Sequence, residues 1–399
     1  MTQVASPVHH REVLHTTEMF LQGWVKFPIG GKARDSRASR CGTDSVKLRG
    51  RRSQSGWKQE EMSDIDQQSM REAVLVAASA RLTCRPNPWV GAVLVAHDGR
   101  RFSGFTQAVG QAHAEVEALR RAGDAARGAT MYVTLEPCNH FGRTPPCTEA
   151  IIAAGVSRVV IGVEDPDARV AGSGVARLRA AGIEVEVGVA ADDVRSQLAP
   201  YLHHRRTGRP FVMLKLAMTI DGYIAAKSGG GGRITGDEAR ARVHQLRAES
   251  DAIVVGAGTV RADDPQLTVR YGDGPSPRRI VLGRAPADAR VQPCTEWNHS
   301  LPELLDTLGG DGVLQLMVEG GASVAASFHA AELIDRYVFH IAPVVMGGGD
   351  AVPAFAGDTA ATLAEVWRGR LVSTQVLGDD VEIIIEPHRI TESQREAMS

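Results

Sequence analysis

Two cysteines, a histidine and a glutamate in the first half of the chain have the types and spacing of a hydrolytic metal site. His113-Ala114-Glu115 is followed by Pro137-Cys138 and then by Cys147, with eight residues between the two cysteines. One imidazole and two thiolates supply three protein ligands to zinc and leave the fourth tetrahedral position open for water. Zinc lowers the pKa of such a water to about 7, so hydroxide is available at neutral pH. Attack on an amino-bearing ring carbon also needs a group that carries protons from that water to departing ammonia. Glu115, two residues from a ligand, is placed to do this. The pattern H-x-E with P-C-x-x-C marks nucleobase deaminases, and the wider spacing here is a variant with a longer second loop. Both cysteines fall near expected helix starts, where the backbone favours thiolate. A structural zinc clip is the alternative. His140, between the cysteines, would then be a fourth ligand and Glu115 would have no role.

The second half carries weaker signals. Gly256-Ala257-Gly258 follows an apolar run, and Gly320-Gly321 follows Leu314–Val318 and opens a helical pattern. Glycines after strands let backbone N–H groups approach phosphates at helix N-termini, although each is equally explained as a tight turn. Two such turns in one α/β unit make a dinucleotide site plausible.

These residues have to be held by alternating strands and helices. Apolar spacing predicts a helix over Ser63–Arg81 with Met70, Ala73, Val74, Ala77 and Ala80 on one face. It predicts strands at Gly91–Ala96, Thr130–Leu135, Arg158–Val163 and Ile183–Val189, the last two buried. Helices are expected at His113–Ala122, Cys147–Ala154 and Asp192–His204. A linker is expected at Arg205–Pro210. A second alternation follows, with strands Phe211–Ala217, Asp251–Val255, Arg279–Leu282, Leu314–Val318, Arg336–Ile341 and Val381–Glu386. Its helices are Asp237–Glu249 and Ala322–Ala330. Both halves are therefore expected to be α/β layer structures.

Composition narrows the partners. The 399 residues have a formal net charge of −2, with 43% apolar and 23% charged side chains. This gives no global attraction to nucleic acid or membrane, and no apolar run approaches the length of a membrane span. Five cysteines are too few for a disulfide scaffold in a chain this long, which implies reduced thiols and a cytoplasmic protein. Residues 1–61 place Arg34, Arg37, Arg40, Lys47, Arg49, Arg51 and Arg52 among Gly and Ser without apolar periodicity. They read as a disordered or non-native leader, or as a basic arm that touches an anionic surface. The expected organisation is this leader, a first domain over 62–206, a second over 207–389 and a polar tail over 390–399.

Three stretches carry a family resemblance: Pro86-Asn87-Pro88-Trp89-Val90-Gly91, His113-Ala114-Glu115-Val116, and the run from Thr134 to Cys147 through Pro137-Cys138-Asn139-His140-Phe141-Gly142-Arg143. From about Met70 to Pro387 the chain resembles the bifunctional riboflavin-biosynthesis deaminase–reductases. The long loop between the cysteines separates it from cytidine and tRNA-adenosine deaminases. The resemblance implies an N-terminal cytidine-deaminase-like three-layer domain and a C-terminal dihydrofolate-reductase-like domain. It implies one zinc per chain on His113, Cys138 and Cys147, with Glu115 as catalytic proton shuttle, and Asn87, His140 and Arg143 on a pyrimidine ribose phosphate.

By the same resemblance the second half uses NADPH. Ala217, Thr259, Asp263 and the run Gly321, Ala322, Ser323, Val324, Ala325, Ala326 and Ser327 would contact the cofactor. Lys215, Arg247, Leu267, Arg270 and Glu319 would contact substrate, the two arginines gripping its phosphate as planar forks. The chain departs from the family pattern at Gly229-Gly230-Gly231-Gly232-Arg233, where relatives often present a Trp. Arg233 is expected to offer the cofactor a cation instead. Tyr223 stands where Arg is common, and the region Gly272–Pro302 is shorter than in many members. These departures leave open a second reading, a deaminase with a degenerate, non-catalytic reductase half. A homo-oligomer is left open, and no nucleic-acid partner is expected.

Overall fold

The first half is built on α1 (Gln54–Ala77), β1 (Gly91–Val95), β2 (Arg101–Phe105), α2 (Ala114–Ala122), β3 (Thr130–Leu135), α3 (Cys147–Ala153), β4 (Arg158–Val163), α4 (Ser173–Ala180), β5 (Glu184–Val187), α5 (Ala191–Gln197) and α6 (Ala199–Thr207). The computed structural model describes residues 54–227, 232–357 and 360–388, with side chains from Asp64 onward. Residues 1–53, Gly229–Gly231 and the polar tail lie outside the described residues.

α1 starts nine residues before the expected Ser63, so the last part of the stretch assigned to the leader is helical. Its Gln, Lys and Glu residues are good helix formers and need no apolar face of their own. Further on, Met70, Ala73 and Ala77 are fully buried.

The first sheet has the order β2-β1-β3-β4-β5. β1 runs antiparallel to β2 and β3, while β3, β4 and β5 are parallel. β5 is an edge strand whose side chains alternate between exposed and half-buried, not the buried strand expected. Two glycines set the layers. A Cβ on Gly91 would lie 2.0 Å from the Ala73 carbonyl oxygen of α1, and one on Gly104 would lie 2.3 Å from that of Ala114 in α2. Gly91 pairs with Phe105 and Gly104 with Ala92, so these glycines face opposite sides of the sheet. Helices thus cover both faces, and the layers approach closely only because these positions lack a side chain. The expected single helix Asp192–His204 is instead α5 and α6, divided at Leu198 just ahead of Pro200. α6 runs on to Thr207, which shortens the expected linker to Gly208–Pro210.

The second half contains β6 (Phe211–Thr219), β7 (Tyr223–Ala225), α7 (Asp237–Ala248), β8 (Ala252–Gly256), α8 (Ala257–Asp263), β9 (Arg278–Leu282), β10 (Thr295–Trp297), α9 (Leu301–Gly310), β11 (Gln315–Val318), α10 (Ala322–Ala330), β12 (Arg336–Ala342), β13 (Val352–Pro353), β14 (Gly369–Leu377) and β15 (Asp380–Pro387). Its eight-stranded sheet has the order β10-β9-β8-β11-β6-β12-β15-β14. The strands are parallel from β10 to β12, and β15 and β14 close that edge with antiparallel pairings. Alternate residues feed two cores. Leu214, Leu216, Val254, Val318 and Phe328 pack on one face, and Met213, Ile253, Val255, Met317 and Val338 on the other. Among the described residues no helix is long and apolar enough to cross a membrane.

Candidate active sites

In the first half, three elements converge behind the start of α2. His113 is the residue immediately before α2, Cys147 is the first residue of α3, and Cys138 lies in the loop after β3. Cys138 therefore opens no helix, contrary to the expectation for both cysteines. His113 Nδ1 lies 3.6 Å from Cys138 Sγ and 3.3 Å from Cys147 Sγ. The ligand atoms of all three residues fall within 4.8 Å of one another. Zinc bonds of about 2.0–2.1 Å to nitrogen and 2.3 Å to sulfur at tetrahedral angles put N and S about 3.5 Å apart. The three donors therefore fit a zinc ion. The other ring nitrogen, Nε2, is 3.5 Å from the Thr144 hydroxyl.

The electrostatics favour the same use. The Cys147 thiol and backbone N–H donate to Cys138, and the nearby imidazole adds to this, holding the Cys138 thiol down at about 4. Cys147 is raised, first because it donates to Cys138 and then by burial. Its hydrogen bond to Cys138 raises the His113 imidazole. Glu115, the second residue of α2, is only 4% exposed, and burial raises its carboxyl above the ordinary range. A buried carboxyl with a raised pKa holds its proton more readily than a free one, which suits a group that must take a proton and then give it back.

A cavity of about 160 Å³ opens over these groups, lined by His113, Glu115, Cys138, His140 and Asn87. The buried Nδ1 of His140 has no hydrogen-bond partner. Arg143 is exposed and does not line this cavity. The sequence reading missed Asp165, Asp167, Arg169, Tyr201 and Arg205, which also line it. The Tyr201 hydroxyl donates to both oxygens of Asp165 at 3.1 and 3.0 Å, and burial raises the Asp165 carboxyl. The Arg169 guanidinium lowers Asp167 to about 2. Arg205 lies 3.7 Å from Asp167 and stacks over Tyr201. The buried Glu136 carboxylate, inside the sequence motif but given no role there, anchors this loop. It accepts from the backbone N–H groups of Asp165, Gly172, Gly174 and Val175 at 2.9–3.2 Å. Only the motif residues had a local signal; the others come from elements brought in by folding.

In the second half, a cavity of about 530 Å³ lies at the C-terminal ends of β8 and β11, beside β6. Of the residues expected there, Lys215, Ala217, Arg247, Thr259, Asp263, Leu267, Glu319, Gly321, Ala322, Ser323 and Val324 line it. α10 opens into this cavity at Gly321, whose N–H donates to the Thr259 hydroxyl at 3.2 Å. A Cβ built on Gly258 would meet nothing within 4 Å, so that wall of the cavity is bare backbone. Bare glycine backbone and an open helix N-terminus suit the phosphates of NADPH. Leu267 is 2% exposed with φ of 55°, an unusual conformation for a residue with a Cβ.

Arg247 and Glu319 form a two-pronged ion pair at 2.9 and 2.7 Å. Burial opposes the Glu319 charge, but the Arg247 and Lys215 cations outweigh it and keep the carboxyl below its usual range. Lys215 is 6% exposed, and burial lowers its pKa. Other expected residues stand elsewhere. Ala325 packs into the core, Ala326 does not line the cavity, and the exposed Ser327 donates to the Ser323 carbonyl. Arg270 is exposed outside the cavity, and its guanidinium is hydrogen-bonded to Gln266. Arg233 is exposed too, 3.3 Å from Asp237 in the next turn of chain.

A three-donor zinc site with a buried carboxyl and a glycine-walled cleft beside a parallel sheet define a metal-dependent deaminase joined to a nucleotide-dependent reductase. Family models agree: "Cytidine and deoxycytidylate deaminase zinc-binding region" matches residues 63–163, and "RibD C-terminal domain" matches residues 210–383. The riboflavin biosynthesis protein RibD of Chlamydia trachomatis is 37% identical over 355 residues, covering 79% of this chain and 94% of that protein. RibD of Mycobacterium tuberculosis is 40% identical over 335 residues, covering 81% and 97%. Among solved structures, Acinetobacter baumannii RibD superposes with a TM-score of 0.76 at 36% identity, over 82% of this chain and all of that one. The chain belongs to the RibD family of bifunctional riboflavin-biosynthesis enzymes, with deaminase and reductase activities that use zinc and NADPH. Nothing in the second half favours a degenerate reductase.

Proposed function

We propose that the first site deaminates 2,5-diamino-6-(5-phosphoribosylamino)pyrimidin-4-one and that the second reduces the ribosyl chain of its product, giving 5-amino-6-(5-phosphoribitylamino)uracil. The observation that carries this reading is the buried Glu115 sharing a cavity with the His113, Cys138 and Cys147 cluster. Bound zinc, held by those three residues, supplies hydroxide at neutral pH. Glu115 takes the proton from the attacking water and returns it to the leaving amino group, which departs as ammonia. Asn87 and His140 line the cavity wall and orient the pyrimidine, and Arg169 and Arg205 on the same wall are the cations within reach of its phosphate.

In the second half, NADPH would supply the hydride to the sugar C1 of the opened ribosylamine, an imine, whose nitrogen takes a proton from solvent to give the amine. Lys215 and Glu319 lie beside Arg247 in the cavity, and these residues hold the substrate there; Ala217, Thr259, Asp263 and Gly321–Val324 form the cofactor wall. The division between the two activities falls at Gly208–Pro210. Glu115→Gln tests the reading. Deamination should fall about 10²–10⁴-fold, the contribution of a general acid–base group, while reduction of already deaminated substrate persists. Equal loss of both activities would mean that Glu115 serves the fold and would overturn its assignment.

A further inference from the structure

The loop that carries Asn87 into the deaminase cavity is pinned to the reductase half. It follows α1 and enters β1; within the first half it is held by the buried Cys84 and Trp89 and by hydrogen bonds of Trp89 with Gln197 and of Val90 with Thr106. The Asn87 N–H donates to the Cys84 carbonyl at 2.9 Å, and the Cys84 thiol donates to the Asn87 carbonyl at 3.3 Å. Two arginines on the same loop reach the other half. The Arg85 guanidinium donates to Asp251 Oδ1 at 3.0 Å through one nitrogen and to the Ala248 carbonyl through the other. Arg81 pairs with Glu249 at 2.9 Å. Both Arg85 and Asp251 side chains are largely buried, at 14% and 18% exposure, so this contact is little screened by water. The acceptors lie at the end of α7 and the start of β8, directly beside Arg247 of the reductase cavity.

We propose that Arg85 is a positioning residue for deamination: by clamping Ala248 and Asp251 it fixes the Asn87 loop at the pyrimidine cavity, so the reductase half completes the deaminase site. Arg85 does not line the cavity; of the loop residues that do, Pro86, Asn87, Pro88 and Val90, only Asn87 has a polar side chain, and Arg85 acts on the pyrimidine through it. Asp251 also accepts from the Leu314 and Gln315 N–H groups through its other oxygen. Losing Arg85 therefore does not leave that carboxylate without donors, and the second sheet keeps its anchor. Lysine offers a single point of attachment where arginine offers a fork, so Arg85→Lys should restore only part of the effect.

This inference rests on the reading of Asn87 as a pyrimidine-side residue, and one experiment separates the two. Ammonia release by the full chain is measured over a range of diaminopyrimidine phosphate for wild type, Arg85→Ala, Arg85→Lys, Asn87→Ala and the Arg85→Ala/Asn87→Ala double variant. Zinc content and melting temperature are recorded for each. Misplacement of a binding group by about 1 Å costs on the order of 10²-fold. Arg85→Ala should therefore raise KM about ten- to hundredfold with zinc content unchanged, Arg85→Lys should fall between, and the double variant should be no worse than Asn87→Ala. A wild-type KM in Arg85→Ala beside an impaired Asn87→Ala overturns the clamp and leaves the reading of Asn87 standing. A double variant showing the full product of the single effects also overturns it, because Arg85 then acts independently. A wild-type KM in Asn87→Ala overturns the reading of Asn87 and the inference with it.

Discussion

Replacing Glu319 by Gln removes one negative charge from between two cations and changes little else in shape. In the wild type, both carboxylate oxygens accept from Arg247, at 2.7 and 2.9 Å, and Lys215 lies close enough to lower the carboxyl further. A hydrogen bond to a charged group contributes roughly 1.5–3 kcal/mol, and breaking a buried pair costs about 3–5 kcal/mol. Gln keeps one acceptor oxygen, so the lower end, about 3 kcal/mol, is the expected loss of stability at pH 7. The sign with pH follows from the lowered carboxyl. Its contribution is fully present above the unfolded value of about 4.3 and disappears as pH falls through the folded value. Denaturant unfolding of wild type and Glu319→Gln should therefore differ at pH 7 and converge in acid. Inorganic phosphate should stabilise the variant more than the wild type, because Arg247 and Lys215 have then lost their counter-ion. Reductase turnover should fall while ammonia release is unchanged. Equal stability of the two proteins at pH 7 and low salt would refute the reasoning, since the pair would then contribute nothing.

Two further outcomes follow from the geometry. Arg233 is exposed and paired with Asp237, outside the cavity, so Arg233→Ala should leave the NADPH dissociation constant within about twofold, the scale of a surface ion pair. A loss of tenfold or more in titration would restore the cation-to-cofactor role expected from sequence. His244 is 1% exposed, is lowered to about 4 by burial and by Arg247 and Arg270, and accepts from the Arg270 N–H. The unfolded chain therefore takes up a proton below about pH 6.5 that the folded chain refuses, costing about 1.4 kcal/mol per pH unit down to about 4. His244→Asn should flatten this part of the stability–pH curve, and an unchanged slope would contradict it.

The zinc cluster was legible because its residues sit in one short motif and chemistry dictates their types. The layers were legible wherever apolar runs are long: β3, β4, β6, β8 and β11 stand close to their expected bounds. β2 was not recognised, since Arg101-Phe102-Ser103-Gly104-Phe105 is short and owes its pairing to β1. β14 exposes most of its side chains and is held by β15. α9 did have a local signal that went unread: the Ser300 hydroxyl accepts from the Glu303 N–H at 3.3 Å, and a proline stands in the first turn. The cavity walls from Asp165 to Arg205 could not be read from spacing, because the Glu136 anchor and the Tyr201–Asp165 bond exist only after folding. Expected contacts at Ala325, Ser327 and Arg270 came from resemblance alone. The helix rotation and local pairing of these side chains turn them away from the cavity.

The most direct test is a paired assay on the full chain, supplied with zinc and the diaminopyrimidine phosphate, following ammonia and NADPH together. Without NADPH, ammonia should be released and the ribosylamino uracil should accumulate. With NADPH, oxidation of the cofactor should follow and approach one equivalent per ammonia, with the ribityl product formed. Ammonia release with no NADPH oxidation at any cofactor concentration would contradict the account. So would NADPH oxidation from the same substrate without ammonia.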